Sequence, residues 1–301
     1  MKFPCMLILV LISSVVIVAA EYSDAFTRKY FPTIFAATQA NDTAQCLKLI
    51  FDDFEVSQHL VIPCDDTNGV NTCASLIFVA HDVKAIVIAY RGTKGMTQFL
   101  VETNVLTFVE PVEWPLGGKV GAYFAQAFEE LWDSGVQTSV EEYLEAYPEY
   151  EVWIGGHSLG GSLSTLTAHK LIASNMVDSK RMKLITFGEP RTGNRKFAKI
   201  HDSLIDYSYR VVNKRDIVTH LPPKGYQGAR HQGKEIWYKR GMSINSSYIE
   251  CDEPESKKCS DSLKLLYRYE DHHRYFGVYM AMWGRRNCQG DPAEGKEDSV
   301  D

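Results

Sequence analysis

The most constraining feature of this chain is a glycine-rich stretch over residues 151–163, E-V-W-I-G-G-H-S-L-G-G-S-L. The apolar residues before the glycines predict the end of a buried strand, and those after them predict a helix. Across the junction Gly156, Ser158 and Gly160 spell G-x-S-x-G, in which glycine removes the Cβ atoms that would collide in so sharp a turn. This turn presents Ser158 as a nucleophile and aims the Leu159 N–H at a developing oxyanion.

Two other interpretations of the stretch are open at this point. A phosphate-binding loop of the form G-x-x-x-x-G-K-[ST] can be aligned from Gly155 to Ser162, but it needs a lysine where Gly161 stands. A strand–helix turn with a serine of no chemical role is the other. The remaining residues have to decide between them.

Length and charge limit the class of protein. A chain of 301 residues with 45% hydrophobic residues forms one large α/β domain or two small ones. The net charge of −6, with no long basic run, argues against nucleic acid as a partner and against capture by anionic membranes.

Residues 1–20 have the composition of a secretory signal peptide. Lys2 supplies the positive start, residues 6–18 are almost entirely apolar, and V-A-A suits cleavage before Glu21. An uncleaved membrane anchor is the alternative, although the apolar run is short for a span. No later stretch is long and apolar enough to cross a bilayer, so we expect a secreted protein without a transmembrane segment.

The cysteines fit an oxidising compartment. Six of the seven remain after signal cleavage, and six cysteines allow 15 pairings. Proximity favours Cys64–Cys73 and Cys251–Cys259 as local loops, which leaves Cys46–Cys288. Sequons at Asn41 and Asn245 predict N-glycosylation in the same compartment.

The order of predicted elements indicates the fold class. Apolar spacing predicts a pair of helices over 26–58, a helix over 120–134, more helix over 140–147 and another from 162. Strands are predicted at 76–80, 85–90, 152–154, 184–187, 207–212 and 235–239. Strands alternating with helices predict an α/β domain over 21–290, with a mostly parallel central sheet and helices on both faces. The polar, acidic residues 291–301 are predicted to be disordered.

A nucleophilic serine needs a base that a third group orients. Proteins with this elbow supply them in the order Ser, Asp or Glu, His. Asp216 follows a predicted strand, where loops line the ligand crevice of an open sheet; a solvated turn aspartate is the alternative. His272 and His273 compete as the base because adjacent side chains diverge, and His157 is expected to point away from the Ser158 hydroxyl. The chain contains no H-E-x-x-H or C-x-x-C, so we assign no metal.

Four motifs in sequence order carry a family resemblance. They are G-H-S-L-G-G from Gly156, T-F-G-E-P-R-T-G from Thr186, N-K-R-D-I-V-T-H-L-P-P from Asn213 and D-H-H-R-Y-F-G from Asp271. Between about Cys46 and Cys288 the chain resembles the class 3 lipases, the family of the secreted fungal triacylglycerol lipases.

The resemblance implies an α/β-hydrolase fold in which Ser158, Asp216 and His272 form the catalytic triad. It selects His272 over His273 because the first histidine of the family's D-H-x-x-Y-F-G ending is catalytic. The three cysteine pairs above also agree with the disulfides of the family, which close local loops and join the two ends of the domain.

The resemblance further implies roles for Y-R-G-T, which ends at Thr93, and for the segment after it. The Thr93 N–H and hydroxyl would join the Leu159 N–H as oxyanion donors, while the sequence alone suggests a helix N-cap. Met96, Phe99 and Leu100 predict a short amphipathic helix, which the family uses as a lid and which could otherwise be ordinary core. The segment K-G-M-T-Q-F-L lacks the tryptophan and arginine typical of fungal lids, and this predicts only modest interfacial activation.

The expected function is hydrolysis of a lipid ester, most of all triacylglycerol. We expect the reaction to take place at a lipid–water interface and to need no cofactor. Phospholipase A1 or mono- and diacylglycerol lipase activity is the first alternative, followed by a feruloyl-type esterase. A lipid-binding protein on an inactive hydrolase scaffold is the alternative from a different class, and the complete set of triad residues argues against it.

Overall fold

The computed structural model describes residues 21–64, 72–91, 110–264 and 266–294, and these are organised around one eight-stranded sheet. The predicted signal peptide and the segment with Thr93, Met96, Phe99 and Leu100 lie outside the described residues. The described strands, in chain order, are β1 (Phe54–Pro63), β2 (Thr72–Ala80), β3 (Ala85–Arg91), β4 (Val112–Glu113), β5 (Lys119–Val120), β6 (Glu151–His157), β7 (Met182–Phe187), β8 (Gly193–Asn194), β9 (Ser208–Asn213), β10 (Ala229–Arg230), β11 (Lys234–Tyr238) and β12 (Ile249–Cys251).

The large sheet has the order β1-β2-β3-β6-β7-β9-β11-β12. Its five neighbouring strands from β3 to β11 run parallel, whereas β1, β2 and β12 pair antiparallel at the two edges. The predicted mostly parallel sheet is therefore confirmed. The short strands form a second sheet in the order β10-β8-β5-β4.

Helices cover both faces of the large sheet, as predicted. The described α-helices are α1 (Asp24–Ala37), α2 (Thr43–Leu47), α3 (Ala122–Leu131), α4 (Gln137–Ala146), α5 (Leu159–Ala173), α6 (Arg195–Leu204), α7 (Glu270–His273) and α8 (Met280–Arg285).

Alternate residues of the central strands enter two different cores. Val87 of β3 packs with α1, α2 and α8, whereas Ile86 and Ile88 pack with α3, α4 and α5. This alternation follows from the two-residue repeat of a strand, and it explains why apolar residues occupy both faces of the central strands.

The prediction of helix over the whole of 26–58 is wrong in its last part. Helices α1 and α2 are present, but β1 begins at Phe54 and pairs with β2. Exposure alternates along the start of β1, so the period of this segment is two rather than 3.6. Hydrogen bonding to the edge of β2 outweighs the helical spacing that Ile50, Phe51 and Phe54 show in the sequence.

Two helix boundaries also differ from the predicted ones. Helix α5 begins at Leu159, directly after the serine, rather than at 162. Helix α3 ends at Leu131, where a π-helical turn over Trp132–Val136 begins and Gly135 adopts a φ of 132°. Glycine tolerates such a backbone angle, which allows the chain to bend into α4.

Three disulfides lie among the described residues, and they join the predicted pairs. Cys64–Cys73 and Cys251–Cys259 close short loops, and Cys46–Cys288 joins residues 242 positions apart. The long loop gives this last bridge the largest expected stabilisation, on the order of 5 kcal/mol in the chain-entropy description.

Residues 291–294 are hydrogen-bonded to the last described helix and its neighbours. The guanidinium of Arg286 binds the backbone carbonyls of Asp291 and Glu294, and the Tyr279 amide donates to Pro292 O. These bonds connect residues 291–294 to the domain. None of the described helices is long and apolar enough to span a bilayer.

His169 and His201 form a buried chain between α5, α6 and the sheet. His169 Nε2 lies 3.1 Å from His201 Nδ1, and His201 Nε2 lies 2.7 Å from Ser208 Oγ. Burial lowers the pKa of His169 to about 3. Burial, with His169 and Arg210 nearby, lowers the pKa of His201 well below its ordinary value. Both imidazoles are therefore neutral in the folded protein at neutral pH.

We predict that acid destabilises the fold through these two histidines. The unfolded chain protonates each imidazole below about pH 6.5, whereas the folded protein resists protonation until far lower pH. The stabilisation is therefore complete above about pH 6.5 and is lost as the pH falls, by about 2 kcal/mol for His169 at about pH 5, and the contribution of His201 has the same sign. Urea denaturation across this range measures the slope. Because burial also lowers the pKa values of His157, His201, His220 and His231, His169→Gln should make the slope shallower without removing it. A variant with the wild-type slope would contradict the prediction.

Candidate active site

Ser158 lies at the junction of β6 and α5 in a backbone conformation that few L-residues adopt. Its φ is 59° and its ψ is −128°. A Cβ atom on Gly156 would collide with the backbone of Gly160, and one on Gly160 would collide with Tyr90 O in β3. Helix α5 therefore starts in direct backbone contact with the sheet, which only glycine at both positions permits. This geometry is the predicted nucleophile elbow.

The amide of Leu159 lies at the N-terminus of the elbow helix. Leu159 is the first residue of α5, and the first N–H groups of a helix have no acceptor within it. The positive end of the helix dipole lies at the same place, and both features favour negative charge there.

Asp216 and His272 form a fully buried pair. His272 Nδ1 lies 2.8 Å from Asp216 Oδ2, and neither side chain has any exposed surface. Asp216 follows β9, and His272 lies in the short helix α7. His272 Nε2 has no hydrogen-bond partner among the described residues, although it is buried. An imidazole held in this way at Nδ1 has Nε2 available to accept a proton.

Three neighbouring groups offset the energetic cost of burying the Asp216 carboxylate. Burial alone would raise the pKa of its carboxyl, but the neighbouring His272, the Tyr275 hydroxyl and the Val218 amide bring the pKa below its ordinary value. Tyr275 Oη donates to Asp216 Oδ2 at 2.5 Å, and Val218 N donates to Oδ1 at 2.9 Å. Burial and Asp216 raise the pKa of Tyr275 well above its usual range, so its hydroxyl stays protonated.

His157 connects the elbow to the residue proposed as the base. Its Nε2 lies 2.8 Å from the backbone carbonyl of His272, and the two imidazole rings stack with centroids 4.3 Å apart. Burial and the nearby His272 hold the pKa of His157 well below its ordinary value. His157 is therefore a neutral imidazole whose Nε2–H donates to the His272 carbonyl. Its ring packs against the imidazole of His272, and its hydrogen bond is directed to that residue rather than to Ser158.

Asn213 fixes α7 against the end of β9. Its Nδ2 donates to Asp271 O at 3.0 Å and to Arg274 O at 2.9 Å. These carbonyls flank His272 on both sides, so one side chain at the end of the strand holds the whole turn that contains the histidine.

Gly188 lies directly against the Asp216–His272 pair. Its φ is 59°, and a Cβ atom there would lie 2.7 Å from His272 Cε1 and 2.8 Å from Asp216 Oδ2. Any larger residue would displace the pair and would also strain the backbone.

The structure thus brings the predicted acid and base together and places them against the residue before the predicted nucleophile. His273 is adjacent to His272 but packs on Tyr269 and Tyr279 instead. Thr93 and the predicted lid residues lie outside the described residues. In the part of the chain that the structure describes, no three His, Cys, Asp or Glu side chains are grouped so that they could hold a metal ion.

Sequence reasoning did not assign roles to Asn213, Gly188 or Tyr275. All three lie within the motifs that carry the family resemblance. Asn213 and Tyr275 act through side-chain contacts with distant segments, and Gly188 acts because it has no side chain where distant segments meet. No local sequence pattern reveals such contacts.

A mostly parallel sheet with a serine elbow and a buried Asp–His pair defines an α/β-hydrolase. Residues 87–226 match the family model for lipase (class 3). A lipase of Caenorhabditis elegans is 32% identical over 303 residues, which covers 89% of this chain and 83% of that protein. The chain belongs to the class 3 lipase family and is a carboxylic ester hydrolase of the lipase type.

Fungal relatives agree in sequence and in structure. A Rhizopus niveus lipase is 32% identical over 79% of this chain, which spans 57% of that protein's length. The solved Rhizomucor miehei triacylglyceride lipase superposes with a TM-score of 0.73 at 27% identity, over 87% of this chain and 98% of that one.

We predict that Tyr275→Phe lowers ester turnover about tenfold without unfolding the protein. One hydrogen bond to a charged group is worth about 1.5–3 kcal/mol, and about 1.4 kcal/mol corresponds to tenfold in rate. The buried ring, which stacks on Phe187, is retained in the variant. The measurement is kcat on a dissolved ester, together with the melting temperature.

Tyr90→Phe is the matched control, because it removes an equally buried hydroxyl whose partner is Thr167. Its kcat should match that of the wild type. If both variants lose the same activity, the bond from Tyr275 to Asp216 has no particular role.

Proposed function

We propose that this protein is a secreted lipase that hydrolyses lipid esters, triacylglycerol above all, through Ser158, Asp216 and His272. The observation that carries the proposal is the buried Asp216–His272 pair, which has an available Nε2 and is held against the serine elbow. The Rhizomucor miehei neighbour is described as a triacylglyceride lipase, which supports this substrate class.

The proposed reaction proceeds through an acyl-enzyme. His272 Nε2 takes the proton of the Ser158 hydroxyl as Oγ attacks the ester carbonyl, and Asp216 stabilises the resulting imidazolium. The Leu159 N–H donates to the oxyanion, and Thr93 would add a second donor, each worth a few kcal/mol of transition-state stabilisation. His272 then protonates the leaving alcohol and activates the water that releases the fatty acid.

Secretion is supported by three features of the chain. Residues 1–20 have the composition of a signal peptide. Three disulfides are typical of an oxidising compartment. Both sequon asparagines, Asn41 and Asn245, are exposed, as glycosylation requires.

Mono- and diacylglycerol lipase activity is the second candidate. It is favoured by a relative described as a secreted mono- and diacylglycerol lipase of Fusarium solani, which is 31% identical over 52% of this chain. Initial rates on triolein, diolein, phosphatidylcholine and a short soluble ester separate the candidates. Triolein as the best lipid substrate supports the first candidate, and diolein without triolein hydrolysis supports the second.

We predict that Ser158→Ala, Asp216→Ala and His272→Ala each lower ester turnover roughly 10⁴-fold or more, as loss of a triad member does in other serine hydrolases. A fluorophosphonate should label the wild type at Ser158, which mass spectrometry detects. His273→Ala should retain most activity. If His273→Ala were inactive and His272→Ala active, the base would be assigned to the wrong histidine.

A further prediction concerns the proposed lid. Exposing a large apolar side chain to water costs roughly 1.5–3 kcal/mol, so a lid bearing Met96, Phe99 and Leu100 would open at a lipid surface that solvates these residues. Phe99→Ser should therefore lower the rate on emulsified triacylglycerol more than the rate on a dissolved short ester. Equal losses on both substrates would instead assign these three residues to the core.

A further inference from the structure

A buried carboxyl group lies beneath the elbow helix and takes no part in the proposed reaction. Glu189 Oε1 accepts from Thr165 Oγ1 at 2.8 Å, from Thr192 Oγ1 at 2.7 Å and from Gln232 Nε2 at 2.7 Å. Its Oε2 accepts from Thr186 Oγ1 at 2.7 Å. All four donors are neutral, and Glu189 is 1% exposed.

The donors come from separate parts of the fold. Thr165 belongs to α5, Thr186 to β7, and Gln232 precedes β11. The Thr192 hydroxyl lies 2.9 Å from that of Ser162, which is a second connection to α5. One carboxyl group therefore joins the elbow helix to β7 and to the segment that precedes β11.

The stem of the same side chain packs directly on α5. A Cβ atom added to Gly161 would lie 2.9 Å from Glu189 Cβ and 3.1 Å from its Cγ. Neither the helix nor the glutamate can move toward the other, because both are at contact distance.

Residues 187–189 touch every part of the proposed triad. The Ser158 amide donates to Phe187 O at 2.9 Å. Gly188 leaves no room for a Cβ against His272 and Asp216. Glu189, the next residue, is bonded to α5. A shift of this tripeptide would therefore change the distance between nucleophile and base.

We propose that Glu189 is a positioning residue, which sets the spacing between Ser158 and the Asp216–His272 pair by anchoring residues 187–189 to α5. This inference rests on the proposed hydrolase function. Misplacement of reacting groups by about 1 Å can cost about 10²-fold in rate, so a small displacement here has a measurable effect.

Two variants test the anchor from its two ends. Glu189→Gln preserves the shape of the side chain but replaces the acceptor facing Thr186 with an N–H donor. Thr165→Val removes one donor from α5 with little change in volume. Thr167→Val is the matched control: it is also buried on α5, but its hydroxyl bonds to Tyr90 and to Leu163 O rather than to Glu189.

The readouts are kcat and KM on a dissolved short ester, the rate of fluorophosphonate labelling at Ser158, and the melting temperature. We expect Glu189→Gln and Thr165→Val to lower kcat and the labelling rate about tenfold or more, with KM changed less than about twofold. Thr167→Val should lower the melting temperature by an amount similar to Thr165→Val and keep kcat within about twofold of the wild type.

Each result decides the question. If kcat follows the melting temperature equally in all three variants, Glu189 stabilises the core and does not position the site. If the wild type is active and both Glu189→Gln and Thr165→Val keep its kcat, the inference about Glu189 is overturned while the proposed function stands. A wild type that neither hydrolyses esters nor labels at Ser158 overturns the proposed function, and the inference with it.

Discussion

The backbone contact between the start of α5 and strand β3 is the constraint on which the rest of the site depends. Gly160 approaches Tyr90 O so closely that no Cβ fits. Because the helix begins this near the sheet, Ser158 is left at the turn with a φ of 59°. Such strained conformations persist only where surrounding structure determines them, and here the strands on both sides of β6 supply that structure.

The proposed acid and base have to be brought to this fixed serine from far along the chain. Asp216 needs only the parallel pairing of β7 with β9, since strand ends of a parallel sheet meet at one edge. His272 lies 56 residues further on and has no strand to hold it. Asn213 and His157 take this role, because they bond to backbone carbonyls of α7 itself. His272 is thus held by its main chain as well as by Asp216.

The sequence predicted the parts of this arrangement that are local. The glycine spacing around Ser158, the apolar central strands and the close cysteine pairs are short-range patterns, and the structure agrees with them. The choice of His272 over His273 came from a family resemblance, because both residues have the same chemistry and neighbouring positions. The start of β1 at Phe54 was mispredicted because its pairing with β2 is non-local. The partners of Glu189, spread over 67 residues of chain from Thr165 to Gln232, were not predictable for the same reason.

Burial of Asp216, the proposed triad acid, explains why so much of the surrounding polar structure is itself buried. An ionised carboxyl group without exposed surface is costly unless hydrogen bonds replace its water. For Asp216 these bonds come from Tyr275, Val218 and His272, which belong to two distant segments. Its ionisation therefore depends on the same packing that sets its position. A substitution that loosens residues 187–189 would alter the spacing of the proposed triad and the solvation of Asp216 together, so geometry and electrostatics at this site cannot be changed independently.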